Sequence, residues 1–186
     1  MGLEFRKVGL FVLRVPAHFY NMFWLYLRFI GIRCTHAMEK LNNFTLLSLN
    51  VRGLRERAKR KHIFEWCKIK GGDVIFLQEA YSTEDVEENW RLEWGGPILF
   101  SHGTNHSRGS LVLISSKLKL KVGQVDIDDE GRHILFNAET HGVNLLFGNV
   151  YLPTRDKEQL QFQFLEKIRY ITFKETNPRM FNNFRW

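Results

Sequence analysis

The sequence predicts an α/β domain built on a strand–helix–strand unit, and three observations carry the prediction. Two apolar runs, Leu46-Leu47-Ser48-Leu49-Asn50 and Val74-Ile75-Phe76-Leu77-Gln78-Glu79, each stop on a polar side chain. Between them Ile63, Phe64 and Cys67 recur at helical spacing among lysines and arginines. The middle of the chain then offers several more strand-like runs. Two strands joined by a helix over roughly 35 residues run parallel and end at the same sheet edge. Asn50 and Glu79 are therefore expected side by side, at the edge where ligands of α/β proteins usually sit. An amide and a carboxylate are hard oxygen donors that suit Mg²⁺ rather than zinc. The alternative is that Glu79 simply ends its strand in solvent.

Taken in order, the first helix is expected over residues 57–70. Arg52, Arg55, Arg57, Lys59, Arg60 and Lys61 crowd its start, opposed only by Glu56. These cations are either phosphate contacts beside Asn50 or a solvated helix face. Cations at a helix N-terminus oppose its dipole, which hints at a purpose other than helix stability. Glu84-Asp85-Val86-Glu87-Glu88 reads as the acidic first turn of a short helix, with Ser82 or Thr83 as its cap. A polar loop over residues 101–107, holding His102 and His106, precedes a strand over 108–115. Lys117-Leu118-Lys119-Leu120-Lys121-Val122 alternates strictly and reads as a half-exposed strand. Residues 132–139 and 143–150 are two further strands joined by a turn at Thr140-His141-Gly142. A second helix is expected at about 156–168, with Leu160, Phe164, Leu165 and Ile168 on one face and Asp156 with Gln159 as a capping pair.

The length, 186 residues, suits a single domain with its own core. The net charge of +7 invites a nucleic-acid reading, but residues 44–168 hold 17 Lys/Arg and 17 Asp/Glu, so the excess lies in the flanks. Residues 1–43 read as a hydrophobic and basic extension outside the domain, and residues 169–186 as a divergent tail. Arg14, Pro16, His18, Asn21 and Arg28 break the leader's apolar runs short of the ~20 residues needed to span a membrane. Residues 19–32 could lie on a membrane surface with Arg28 snorkelling, but a leader outside the domain is preferred. No cleaved signal peptide is expected. Cys34 and Cys67 make no disulfide framework or zinc spacing, and Cys67 is expected as a free buried thiol. An intracellular setting, nuclear or cytoplasmic, fits best. Nothing in the sequence fixes an oligomeric state.

Five segments occur in a specific order: Leu47 to Leu54, Phe76-Leu77-Gln78-Glu79, Arg108 to Ser115, Glu130-Gly131-Arg132-His133-Ile134, and Gly148-Asn149-Val150-Tyr151-Leu152-Pro153. Together they resemble the endonuclease/exonuclease/phosphatase superfamily. The wording is most similar to the apurinic-endonuclease-like domain of LINE-type (non-LTR) retrotransposons. The resemblance implies a DNase-I-like four-layer α/β sandwich and a Mg²⁺-dependent (or Mn²⁺-dependent) endonuclease acting on DNA. It implies that Glu79 is the principal metal ligand of this half of the site, with Asn50 helping to position metal and network. It places Tyr151 against the phosphate; the candidate nucleic-acid contacts are Arg52, Arg55, Lys59 and Arg60, from the basic run beside Asn50, with Asn149 of the last motif.

The chain departs from the family after Ile168. No Asp follows Asp156, and neither the G-D-F-N strand end nor the closing S-D-H is found. Asn182 and Asn183 beside Phe184 lack the carboxylate and the apolar strand of the former. His102 and His106 lie too early to replace the latter's histidine. The expectation is an incomplete domain, about the first half to two-thirds of the sandwich, with impaired catalysis and an exposed sheet edge. The alternative is a non-catalytic remnant or interaction protein that keeps the scaffold. A lipid or nucleotide phosphatase is a third possibility, less favoured by the motif wording.

Overall fold

A computed structural model describes residues 12–13, 44–140, 142–152 and 158–176. The interfacial segment 19–32, Cys34, the Asp156 cap, His141 and Asn182-Asn183 lie outside the described residues. Among the described residues, eight strands form two sheets. In sheet I, β2 (Leu46–Asn50) pairs parallel with β3 (Val74–Gln78), which pairs antiparallel with β5 (Ser110–Ile114), and β4 (Ile98–Ser101) closes the far side. In sheet II, β6 (Lys121–Ile127), β7 (His133–Thr140) and β8 (Val143–Val150) form an antiparallel meander. The two-residue β1 (Val12–Leu13) lies parallel against Asn149 and Val150 of β8.

Side-chain alternation along the strands builds the layers. Ile75 and Leu77 of β3 face outward, where Phe64 and Cys67 of α1 (Arg57–Ile69) and Trp90 and Trp94 of α2 (Glu87–Trp94) cover them. Val74 and Phe76 face inward and meet Ile134, Phe136, Leu145 and Phe147 of sheet II. The Phe136 and Phe147 rings stack with centroids 4.9 Å apart. On the far side of sheet II, Leu135, Leu146 and Val150 are covered by Ile168, Phe164 and Ile171 of α3 (Glu158–Thr176). The order helix, sheet, sheet, helix is the expected four-layer sandwich. All five residues of β3 are buried, as befits a strand covered on both faces.

Several elements differ from expectation. Residues 117–120 are not a strand: a turn spans 115–118, with Leu118 N–H bonded to Ser115 O at 3.1 Å, and residues 119–120 are irregular. Leu118 and Leu120 pack partly buried against the inter-sheet core, so the period of two reports alternate burial without a ladder partner. The strand starts at Lys121 and carries an irregularity between Val122 and Val125. The acidic run begins with a 3₁₀ turn at Glu84–Val86, and no side-chain cap precedes it, because Thr83 Oγ1 is engaged by Arg55 and Asp85 instead. α2 stops at Gly95, whose φ of 76° suits glycine. α3 continues unbroken past Ile168 to Thr176. Beyond the two residues facing β1, the outer edge of β8 has no backbone partner among the described residues. No helix among the described residues is long and apolar enough to cross a membrane. Cys67 is a free buried thiol, and burial pushes its pKa up to about 11.

Candidate active site

The register places Asn50 opposite Gln78, so Glu79 begins just beyond the common end of the parallel pair. The chains stay together past that end: Val51 N–H bonds Gln78 O at 2.9 Å, Gly53 N–H bonds Glu79 O at 2.6 Å, and Leu54 N–H bonds Ala80 O at 3.0 Å. From the other side, Ala80 and Tyr81 N–H groups bond Gly109 and Arg108 carbonyls, each at 2.9 Å. Three loops thus meet at one sheet edge. All four non-glycine residues with positive φ among the described residues lie in them: Arg52 (46°), Glu79 (56°), Tyr81 (57°) and Arg108 (62°). Such conformations cost of order 1–3 kcal/mol each and persist where surrounding contacts enforce them.

Glu79 is the focus of this edge. Asn50 Nδ2 donates to its Oε1 at 2.7 Å, and Asn50 Oδ1 in turn accepts from Arg52 N–H at 3.2 Å. From sheet II, the Tyr151 phenol comes close enough to Glu79 for the carboxylate to act on it. Burial first, and the carboxylate second, push the Tyr151 pKa up to about 12, so this phenol is a proton donor and not a base at neutral pH. The structure therefore brings together the three residues assigned to catalysis. An ionised carboxylate offers about four acceptor positions, and the Asn50 donor leaves room for a cation. Mg²⁺ is commonly held by one or two carboxylates together with water and phosphate oxygens. Glu79 fits that hard-oxygen set, whereas Asn50 meets the carboxylate through its amide N–H and its Oδ1, expected as a metal donor, is taken by Arg52 N–H. No group of three His, Cys, Asp or Glu side chains suited to a metal occurs among the described residues.

Behind Glu79 a buried amide network ties the two sheets. Gln78 Nε2 donates to Asn149 Oδ1 at 2.8 Å and to Ser48 Oγ at 3.2 Å, while Asn149 Nδ2 lies 3.0 Å from Leu77 O and 2.8 Å from Leu111 O. Asn149 is 0% exposed, so its observed role is to clamp β8 onto β3 and β5, in place of the expected nucleic-acid contact.

The basic run after Asn50 divides. Arg52 is exposed beside the site, and Lys59 Nζ bonds its carbonyl at 2.9 Å. Arg55 holds three loops, reaching Thr83 Oγ1 at 2.6 Å, Asn105 Oδ1 at 2.8 Å and Asp85 at 2.9 Å. Arg60 turns inward. It is 6% exposed, grips both oxygens of Glu93 at 2.7 and 2.9 Å, bonds Leu54 O at 2.9 Å, and lies over the Trp90 ring. Its expected phosphate contact is replaced by a structural one, because a guanidinium can satisfy a carboxylate and a carbonyl at once. His102 likewise serves the scaffold, bonded to Glu87 at 2.9 Å and Ser82 at 3.2 Å.

Three residues near the site carried no assignment from sequence. Tyr81 packs its ring over Gly53, where a Cβ would come within 2.8 Å of it. Arg132 accepts Tyr151 N–H on its carbonyl at 2.7 Å, and its charge acts on the Tyr151 phenol. Arg108 is joined through its carbonyl to Tyr81. Arg108 and Arg132 stand inside motifs quoted for the resemblance, but nothing in either motif reveals what their side chains meet.

Layers, strand order and site define a DNase-I-like sandwich. A model of the Endonuclease/Exonuclease/phosphatase family matches residues 47–179, and the chain belongs to that family. It is 30% identical over 118 residues, 63% of its length, to the "Transposon TX1 uncharacterized 149 kDa protein" of Xenopus laevis, of which it covers 9%. Among solved structures, an AP endonuclease from Archaeoglobus fulgidus is 25% identical with a TM-score of 0.50, over 72% of this chain and 54% of that one. TDP2 from D. rerio, complexed with single strand DNA product, shares the fold at a TM-score of 0.51 and 16% identity, over 70% of this chain and 54% of that one. The chain thus spans about half the length of these solved relatives and a small part of the transposon protein.

Proposed function

We propose that this chain is a Mg²⁺-dependent endonuclease-type domain of a LINE-like element, acting on the phosphodiester backbone of DNA. The observation that carries the reading is the Asn50–Glu79–Tyr151 trio at the shared strand end, where Asn50 hydrogen-bonds Glu79 and the Tyr151 phenol of sheet II comes close to the same carboxylate. Glu79 would hold Mg²⁺ or Mn²⁺, with Asn50 fixing the carboxylate's orientation through its amide N–H. Tyr151, protonated at neutral pH, would present its hydroxyl near Glu79 and the expected phosphate position. When bound, the cation would neutralise phosphate charge and stabilise the leaving oxygen. The transposon relative and the DNA bound by the D. rerio neighbour support this substrate class.

One observation favours slow turnover by the chain acting alone. The described residues hold no group of three His, Cys, Asp or Glu suited to a metal, the G-D-F-N and S-D-H segments are not found in the sequence, and losing one member of a catalytic unit removes most of its rate. The second reading, a scaffold that binds without cutting, rests on that gap. Nicking of supercoiled plasmid, with and without Mg²⁺, separates the two when wild type is compared with Glu79→Gln. Metal-dependent nicking lost in the variant supports the endonuclease. Absence of nicking, with Mn²⁺ binding seen by electron paramagnetic resonance and lost in Glu79→Gln, supports the scaffold. Nicking that persists unchanged in Glu79→Gln overturns the assignment of Glu79.

A further inference from the structure

Beside the trio, two loops far apart in sequence place two guanidinium groups on one oxygen atom. Arg108 Nη1 lies 3.0 Å and Arg132 Nε 3.1 Å from Glu130 Oε2. The arginines are mostly covered, at 34% and 19% side-chain exposure, whereas Glu130 is 64% exposed. An exposed carboxylate between two shielded guanidinium groups is the ligand of that arrangement that solvent or another anion can most readily replace. We infer that Arg108 and Arg132 form a binding site for a backbone phosphate of the nucleic acid, and that Glu130 occupies it in the free protein. The inference rests on the nucleic-acid reading above and names a contact for it.

The platform under the pair is rigid. Ser101 Oγ donates to Asp128 O at 2.7 Å and Ser110 Oγ to Gly131 O at 3.1 Å, both within the buried interior. These two hydroxyls pin the 128–132 turn onto the loop that carries Arg108. The turn is closed by Glu130 N–H on Asp128 Oδ1 at 2.6 Å and by Gly131 N–H on Asp128 O at 3.2 Å. At Gly131, φ is 73° and a Cβ would stand 2.5 Å from His102 O and 2.7 Å from Gly109 N, so only glycine lets the loops approach this closely. His133, next in the chain, is buried with Nε2 2.7 Å from Asp126, which fixes the other side of the turn.

The same backbone links the pair to the catalytic edge. The Arg132 carbonyl accepts from Tyr151 N–H, and the Arg108 carbonyl accepts from Tyr81 N–H, two residues after Glu79. A phosphate held by both guanidinium groups would therefore lie on the strand that runs past Glu79. Two N–H forks converging from different loops give the charge-assisted geometry that recognises phosphate oxygens. Exchanging Glu130 for a phosphate keeps both arginines paired throughout, so neither is left as an uncompensated charge.

Binding of a short fluorescein-labelled oligothymidylate to the full chain, followed by anisotropy over a range of salt, tests this. Glu130→Gln is expected to tighten binding roughly 3- to 10-fold, because the resident competitor loses its charge. Asp129→Asn, which removes the same charge from the exposed neighbouring position, is expected to change it less than about 2-fold. Arg108→Ala and Arg132→Ala are each expected to weaken binding and to flatten the slope of log affinity against log salt by about 0.7. Circular dichroism and thermal melting of each variant confirm that the fold is kept, and Arg108→Lys is expected to retain part of the affinity. Binding that Glu130→Gln tightens no more than Asp129→Asn, or a salt slope unchanged by both arginine variants, overturns the phosphate site and leaves the nucleic-acid reading standing. No binding by wild type and Glu130→Gln alike overturns both.

Discussion

Two polar clusters lie at the same end of this sandwich, and they are built in opposite ways. The basic run from Arg52 to Lys61 is continuous in sequence, yet its members scatter to different tasks. Arg60 holds α1 to α2 through Glu93, and Arg55 holds three loops together. The Asn50–Glu79–Tyr151 trio spans 101 residues of chain and still converges on one carboxylate. Charge density along a sequence therefore says little about where a ligand is met. Strand ends say more, because a parallel pair brings its C-terminal residues to one edge whatever surrounds them.

The comparison breaks most visibly at Arg60. If its role is structural, Arg60→Ala leaves Glu93 facing the exposed Arg57 at 3.6 Å in place of its bidentate partner and leaves Leu54 O without its donor, and urea denaturation is expected to show a loss of about 3 kcal/mol. Arg60→Lys should recover only part of this, since an ammonium cannot grip both carboxylate oxygens and reach Leu54 O together. A loss within a few tenths of a kcal/mol would return Arg60 to the pool of candidate phosphate contacts.

Asn149→Leu is expected to cost about 2 kcal/mol, since Gln78 Nε2 and the Leu77 and Leu111 carbonyls lose a buried partner. A variant as stable as wild type would show that the clamp between the sheets is dispensable.

Acid stability sharpens the same contrast. The Arg60 hydrogen bond, ahead of the opposing effect of burial, holds the Glu93 carboxyl below its ordinary value of 4.5. A depressed carboxylate adds stability that is present above about pH 4.5 and lost as pH falls through its folded-state value. The acid limb of a stability–pH curve is therefore expected to be shallower in Arg60→Ala than in wild type. Parallel limbs would deny the coupling.

The smallest effect is expected at Tyr151. Tyr151→Phe removes the hydroxyl that Glu79 acts on and should change stability by no more than about 1 kcal/mol at neutral pH. A phenol whose pKa is raised on folding adds stability below pH 10 that is lost as pH rises through about 12. In an ultraviolet titration of the folded chain, one tyrosine should ionise after the others, and Tyr151→Phe should abolish that last step. A wild-type titration without a late step would detach Tyr151 from Glu79.

How much of this was legible in the sequence can be judged element by element. β2, α1 and β3 were readable because the hydrophobic period changes from strand to helix and back, and both strands end on oxygen donors. β7 and β8 were readable from long apolar runs either side of a glycine turn. β4, only four residues long, gives too short a signal to separate from the polar loop after it. β6 was misplaced because Leu118 and Leu120 bury alternately without any strand beside them. At the site, Asn50, Glu79 and Tyr151 followed from strand ends and motif wording together. The inward turn of Arg60 and Asn149 did not, because burial of a polar side chain depends on partners such as Glu93 and Leu111, which are far away in sequence.

The sequence by itself determined the strand–helix–strand unit, the shared edge of Asn50 and Glu79, and the α/β class, since these rest on local periodicity and the geometry of parallel strands. Only the tertiary structure decided which cations remain at the surface, that two amides lock the sheets, and that Arg108 and Arg132 share Glu130. Those outcomes depend on distances between residues 22 to 71 positions apart, and loop packing at positions such as Gly131 sets them rather than any property of the residues alone.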